Sequence, residues 1–152
     1  MVSERIQLSD NLYLDEYIPE ELYNKYIHKP HYLIGLLDVR LIDVDQFMRD
    51  RFGPVTINNW YTGGNRNWSG IRLPNKPYYS QFSQHGYGRA SDKKFNLITA
   101  EEVRQDIKEN FTELYSHLGL SCIEDGVSWL HSDVRYHNFS GYKGKGLLVV
   151  NP

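Results

Sequence analysis

Residues 83–92 read SQHGYGRASD, a stretch that combines a histidine, an aspartate and several small residues within ten positions. His85 and Asp92 offer an imidazole nitrogen and a carboxylate oxygen, two ligand types that zinc takes at about 2.0–2.2 Å. The small residues between them allow the tight backbone that two ligands on one short connection need. The stretch therefore predicts two ligands of a zinc site.

A third ligand is expected from a strand nearer the C-terminus. Residues 127–134 read VSWLHSDV, and alternation along a strand would place Trp129, His131 and Asp133 on one face. Three protein ligands with a fourth position open to water are the arrangement of catalytic zinc sites, whereas structural sites are closed. His131 would complete a site of the catalytic kind.

Hydrophobic periodicity predicts helices on both sides of the first stretch. Apolar residues recur at helical spacing over residues 34–52, and Gly53 would end that helix. Residues 99–102, TAEE, form a capping box that would begin another helix, running to Gly119. A short helix is expected over residues 20–26, which begin with two acidic side chains.

Short apolar or alternating runs predict strands, without a regular β–α–β alternation. They lie at residues 55–60, 95–98, 120–123, 127–134 and 147–150. The expected fold class is therefore α+β, with a mainly antiparallel sheet flanked by helices. The 152 residues are expected to form a single domain, with residues 1–33 as an N-terminal extension to a core over residues 34–152.

Composition and charge narrow the function classes. The net charge of −2 gives no general attraction to nucleic acid or to anionic membranes. No apolar run is long enough to span a bilayer, and the first residues, MVSER, lack the apolar region of a Sec-type signal. A single cysteine, Cys122, excludes an internal disulfide. We therefore expect synthesis in the cytoplasm, with neither nucleic acid nor a membrane as partner.

Three segments resemble those of one peptidase family. Residues 83–92 match every fixed position of S-x-H-x-x-G-x-A-x-D, the signature of the zinc D,D-peptidases and their phage endopeptidase and hedgehog-type relatives. Residues 68–72, WSGIR, resemble the S-G-Y-R segment that precedes this signature. Residues 129–135, WLHSDVR, resemble the W-V-H-x-D-x-R segment of bacterial and phage members. The resemblance covers roughly residues 33–137, in the family's order.

This resemblance implies a hedgehog/D,D-peptidase-like fold and assigns roles to residues. His85, Asp92 and His131 would be the ligands of Zn²⁺. Ser83 would lie outside the ligand set and support the first histidine by a hydrogen bond, as metal-bound imidazoles usually require. Arg72 would bind a substrate carboxylate or carbonyl, with a structural salt bridge as the alternative.

The catalytic base is the point at which this chain departs from the family. Many of these peptidases carry a glutamate three residues before the last zinc histidine, but that position is Ser128. Glu124, seven residues before His131, resembles the placement in hedgehog-type relatives with one extra residue. Asp133 is a second candidate because it would share a strand face with His131. The third alternative is a site that binds zinc without hydrolysing peptides.

The function implied by the resemblance is hydrolysis of peptidoglycan stem peptides by zinc-activated water. The enzyme would be a D,D-carboxypeptidase or an endopeptidase acting on L-alanyl-D-glutamate or D,D bonds. The alternative is a non-catalytic phage structural or binding protein that retains the fold. Without a Sec-type signal, the protein would reach the cell wall through lysis, a holin or a virion.

Overall fold

The computed structural model describes residues 4–137 and 146–152 and shows a mixed α+β fold. Within these ranges the helices are α1 (Glu20–Tyr26), α2 (Pro30–Ile34), α3 (Val39–Phe52) and α4 (Ala100–Asn110). The strands are β1 (Val55–Thr56), β2 (Ala90–Phe95), β3 (Cys122–Glu124), β4 (Leu130–Asp133) and β5 (Leu148–Val150). They form one sheet in the order β1-β2-β4-β3-β5, antiparallel except for the pair β3–β5. The predicted α+β class and mainly antiparallel sheet are confirmed; residues 1–3 and 138–145 of the predicted domain lie outside the description.

Helix α3 provides the predicted apolar stripe but begins later than expected. Its buried side chains include Leu41, Val44 and Met48, which step along one face of the helix. The predicted start at residue 34 is wrong because the Asp38 side chain accepts a hydrogen bond from the backbone N–H of Arg40 at 3.0 Å and caps the helix there. Residue 34 instead ends the separate helix α2, and residues 35–37 connect the two helices.

The two strands nearest the N-terminus differ from their predicted positions. Only the first two residues of the predicted strand 55–60 are in the sheet, and Asn58 donates its backbone N–H to Glu16 O at 3.1 Å instead. Strand β2 begins before the predicted strand 95–98 and overlaps it by one residue. The prediction missed most of β2 because its buried residues 91–93 are polar and give no hydrophobic pattern. The three strands predicted nearer the C-terminus are present but shorter.

The capping box of α4 is confirmed. Thr99 Oγ1 accepts from the backbone N–H of Glu102 at 3.1 Å, and the Glu102 carboxylate accepts from the backbone N–H of Thr99 at 2.9 Å. The chain continues through a π turn and a 3-10 turn to Gly119, whose φ of 104° lies in the left-handed region that glycine favours. Among the described helices, none has the length and apolar character needed to cross a membrane.

The N-terminal residues take part in the core. Leu12 and Tyr17 are fully buried in the main cluster, beside α3 and α4 side chains. A second buried cluster joins Ile71 to Leu14, Ile18, Tyr23 and Leu33. The backbone N–H of Ile71 also donates to Tyr17 O at 2.8 Å. The segment before residue 34 therefore packs directly against residues that precede the stretch carrying His85 and Asp92.

Glu16 gives the fold a pH dependence remote from the predicted site. Its largely buried carboxylate accepts from the backbone N–H of Tyr13 at 2.8 Å, and burial raises the pKa of Glu16 to about 7. Between about pH 4.5 and 7 the folded state then holds a proton that the unfolded chain releases. The free energy of unfolding should fall over this range as pH rises, by roughly 1.4 kcal/mol per pH unit.

The variant Glu16→Gln is expected to flatten this pH slope, because an amide does not titrate. Urea unfolding at several pH values between 5 and 7 measures the slope for both proteins. Equal slopes for the wild type and the variant would contradict the assignment of the proton to Glu16.

Candidate metal centre

Three buried side chains meet where strands β2 and β4 pair. Asp92 and His131 are direct partners in the antiparallel register, which brings their side chains together. His85 comes from the 3-10 turn Gln84–Tyr87, which leads into β2. One ligand atom of each residue lies within 4.8 Å of the others. The three side chains could hold a metal ion, as the sequence predicts.

Hydrogen bonds determine which imidazole nitrogen faces the cluster. His85 Nδ1 donates to Gly70 O at 2.8 Å, which leaves Nε2 buried, without a hydrogen bond, 3.2 Å from Asp92 Oδ1. His131 Nε2 donates to Asp133 Oδ2 at 2.9 Å, and Nδ1 lies 3.0 Å from the same Asp92 oxygen. A buried nitrogen without a hydrogen-bond partner is costly unless something else takes its lone pair. The donor set therefore fits a metal ion.

Arg72 determines which oxygen of Asp92 faces the two imidazoles. Its Nη2 donates to Asp92 Oδ2 at 2.6 Å, so that Oδ1 is the oxygen facing the two imidazoles. Its Nε donates to Trp68 O at 2.8 Å, and Nη1 lies 3.4 Å from Tyr78 O. Arg72 thus forms the salt bridge that was the alternative to substrate binding. Its side chain remains 17% exposed, so part of it stays open to solvent.

The two histidines have opposite pKa shifts. Burial lowers the pKa of His85 below its ordinary value. Burial acts in the same direction on His131, but hydrogen bonds to Asp133 and Asp92 outweigh it and raise the pKa of His131 to about 9. Burial would raise the pKa of Asp92, yet the hydrogen bond with His131 and the nearby imidazole of His85 hold it well below the ordinary value. A metal ion would compete with a proton for His131 Nδ1.

The two candidate bases lie on opposite sides of His131. Glu124, at the end of β3, places Oε1 3.9 Å from His131 Nδ1, on the side of the ligand atoms, and its side chain is 22% exposed. Asp133 contacts Nε2 on the far side of the ring and is fully buried. Of the two, Glu124 combines solvent access with a position next to the ligand atoms.

Ser83 acts on the turn that carries His85. Its Oγ accepts from the backbone N–H of His85 at 3.3 Å, whereas the ring donates to Gly70 O instead of to the predicted serine. Gly88 ends the turn with a φ of 68°, and a Cβ there would collide with Leu36 O. The serine and glycine of the signature therefore shape a turn that presents the histidine.

The contribution of residues 68–72 to the site was only partly foreseen from the sequence. Ser69 O accepts from the backbone N–H of Asp92 at 2.8 Å, and Gly70 O accepts from the first imidazole. A Cβ on Gly70 would collide with Tyr17 O, so this position requires glycine. Backbone carbonyls leave no signal in a sequence, and the glycine was the one available indication of a close approach.

A cleft of about 300 Å³ opens beside Asp92. Its lining includes aromatic and polar side chains, among them Asn65, Trp68, Arg72, Tyr78 and Trp129. The indole N–H of Trp129 is buried and has no hydrogen bond to the described part of the chain. The partly exposed guanidinium of Arg72 gives this lining a cationic donor, which suits carbonyl or carboxylate oxygens of a ligand.

Similarity to known proteins adds nothing to these observations. The resemblance to zinc D,D-peptidases rests on short motifs, and the geometry of the site is a separate observation. No family model, no curated protein and no solved structure matches the chain.

Proposed function

We propose that the protein is a zinc-dependent peptidase that hydrolyses peptidoglycan stem peptides. The observation that carries this proposal is the arrangement of ligand atoms, in which two buried imidazoles face one carboxylate oxygen. Two nitrogens and one carboxylate oxygen suit zinc, and three protein ligands leave a fourth position for water or substrate. The choice of peptidoglycan is supported by the resemblance of residues 83–92 to the zinc D,D-peptidase signature.

The ligand atoms would be His85 Nε2, Asp92 Oδ1 and His131 Nδ1. Zinc bound there would polarise a substrate carbonyl and lower the pKa of water towards about 7. Glu124 would accept the proton of the attacking water and pass it to the leaving amine. Arg72 would keep Asp92 Oδ2 occupied, which leaves a single carboxylate oxygen for the metal.

The aromatic cleft would bind the peptide beside the reacting bond. Arg72 would offer its partly exposed guanidinium to peptide oxygens, and Trp68 and Trp129 would contact the peptide from the cleft lining. Arg72 is held by the Trp68 carbonyl and by Asp92, and Trp129 directly precedes β4, which carries His131, so binding and chemistry would share one framework.

A non-catalytic binding protein is the competing function, and one position favours it. Ser128, where many of these peptidases carry the glutamate of E-x-x-H, lines a separate cleft of about 480 Å³ together with Leu97 and Thr99. Hydrolysis therefore depends on Glu124. If Glu124 does not act as a base, the chain keeps a metal site without a proton acceptor.

Metal analysis of the purified protein tests the site. We expect about one zinc ion per chain in the wild type and a loss of that zinc in His85→Ala, because each buried ligand is needed for tight binding. The matched control is His117→Ala, which removes an exposed histidine on the 3-10 turn after α4 and should leave the zinc content unchanged. A zinc-free wild type after loading and desalting would overturn the proposed site.

Mass spectrometry of muropeptides after digestion of purified peptidoglycan tests the activity and identifies the bond. The wild type should release defined fragments that His85→Ala does not release. A zinc-loaded wild type that cuts no bond would favour the binding protein.

A further inference from the structure

We propose that Asp133, held by Arg135, is a positioning residue that keeps His131 turned with Nδ1 towards the ligand cluster. This inference rests on the proposed metal site and gives the second candidate base a different role. It concerns the face of His131 that points away from the metal and from solvent.

The carboxylate of Asp133 is surrounded by donors. Oδ2 accepts from His131 Nε2 at 2.9 Å and from Arg135 Nη2 at 2.6 Å. Oδ1 accepts from Arg135 Nε at 2.8 Å and from the backbone N–H of Arg135 at 3.2 Å. Because all four partners donate, only an acceptor without hydrogens satisfies them all. The proton on His131 Nε2 is thereby held in place, and Nδ1 is the nitrogen left for a metal.

The backbone makes this carboxylate a rigid support. Asp133 lies in the central strand β4, where it pairs with Ala90 of β2 on one side and with Cys122 of β3 on the other. Arg135 follows directly, and its carbonyl accepts from Ser121 Oγ at 2.8 Å. Asp133 itself has no exposed surface. A group fixed in this way can orient the ring but has no route to deliver a proton to the cleft.

The two histidines are supported differently. His85 is oriented by the neutral carbonyl of Gly70, whereas His131 is oriented by a charged carboxylate. A carboxylate behind a metal-binding imidazole raises its basicity as well as fixing its orientation. Asp133 should therefore strengthen the bond between His131 and the metal more than packing around the ring alone would do.

The test compares Asp133→Asn with Asp106→Asn. In the first variant the new amide must turn its NH₂ group either against His131 Nε2 or against the donors of Arg135. Zn²⁺ affinity, measured by competition with a chromophoric chelator, should fall about 10–100-fold. The visible spectrum of bound Co²⁺ should change as well, because the ligand field at His131 changes.

Asp106 provides a matched control. It also accepts a two-point hydrogen bond from an arginine, Arg51, at 2.7 and 2.9 Å, and a further one from Tyr115, but it lies on α4 and belongs to no metal cluster of the described residues. Asp106→Asn should leave Zn²⁺ affinity and the Co²⁺ spectrum unchanged. Equal affinities for wild type and a folded Asp133→Asn would overturn the inference.

A measurement on the wild type does not depend on the folding of any variant. In ¹⁵N-labelled protein loaded with ¹¹³Cd²⁺, His131 Nδ1 should couple to the metal and Nε2 should carry the hydrogen. Coupling to Nε2 instead would overturn the inference while leaving the metal site intact. A wild type that binds neither Zn²⁺ nor Cd²⁺ would overturn the proposed site, and this inference with it.

Discussion

Glu124→Gln is expected to slow hydrolysis about 10²–10⁴-fold, the usual contribution of a positioned general base, and to leave the metal bound. Glutamine has nearly the same shape but no basic oxygen. Glu124 is outside the set of three ligands, so the amide should not weaken metal binding. The measurements are kcat on purified muropeptides and the zinc content of the same samples.

The register of the sheet explains why Glu124 is a stronger candidate than Asp133. Strand β3 pairs with β4 through Cys122 opposite Asp133 and Ile123 opposite Ser132. Continuing that register by one residue brings Glu124 opposite His131. Glu124 is the last residue of β3 and its side chain is 22% exposed, so it stays in contact with solvent, as a proton acceptor for water requires.

Glu113→Gln serves as the control for this substitution. Glu113 is an exposed glutamate on the π turn after α4, so its replacement changes the net charge equally and should leave kcat unchanged. Full activity in Glu124→Gln would contradict its role as the base. Loss of zinc in that variant would show that Glu124 is a ligand instead.

The elements that sequence predicts well are those whose determinants are local. The capping box at Thr99 and Glu102 spans four residues, and the stripe of α3 repeats within a single helix. The start of α3 was missed because an aspartate four residues inside the predicted helix caps it. Local patterns thus identified α1, α3 and α4, misplaced the start of α3 and missed the short helix α2.

Strand β2 was misplaced because its inward-facing residues are polar. Ser91 and Lys93 point to the core, where they contact Asp45, and Lys93 also contacts Ser132. Asp45 is 46 residues away from Ser91 in the sequence, and Ser132 is 39 residues away from Lys93. Hydrophobic alternation cannot reveal a buried strand whose polar groups are satisfied only in the folded chain.

The ligands of the candidate site could be predicted, but most of their supports could not. His85, Asp92 and His131 have side chains whose chemistry indicates metal binding. The ring of His85 is oriented by a backbone carbonyl. Arg72 contacts Asp92 only because the fold brings two separate segments together. A sequence shows which groups can bind a metal, whereas tertiary contacts show which atom of each group does so.

Removing one partner of the buried ion pair of Lys93 and Asp45 should strongly lower the free energy of unfolding. Both side chains are 0% exposed, and Lys93 Nζ lies 2.8 Å from Asp45 Oδ1. The ammonium also donates to Ser91 Oγ at 2.6 Å and to Ser132 Oγ at 2.7 Å, while Tyr17 OH donates to Asp45 Oδ2 at 2.9 Å. The network links the sheet to α3.

Lys93→Met is expected to lower the free energy of unfolding by about 3–5 kcal/mol, because it leaves a buried carboxylate without its counter-charge. Urea unfolding at neutral pH measures this loss. The double variant Lys93→Met/Asp45→Asn should recover much of the stability, since an amide keeps partners for Tyr17 and Ser91 without a buried charge.

The exposed pair of Lys76 and Glu21 is the control, with side chains 41% and 44% exposed at a separation of 2.9 Å. Lys76→Met should change the free energy of unfolding by about 1 kcal/mol or less, because water screens such pairs. Similar losses in Lys76→Met and Lys93→Met, or a double variant no more stable than Lys93→Met, would contradict the role of burial.

Lys93 is next to Asp92 on β2 and faces the opposite side of the sheet. The network that contains this charge pair therefore also holds the strand from which Asp92 projects.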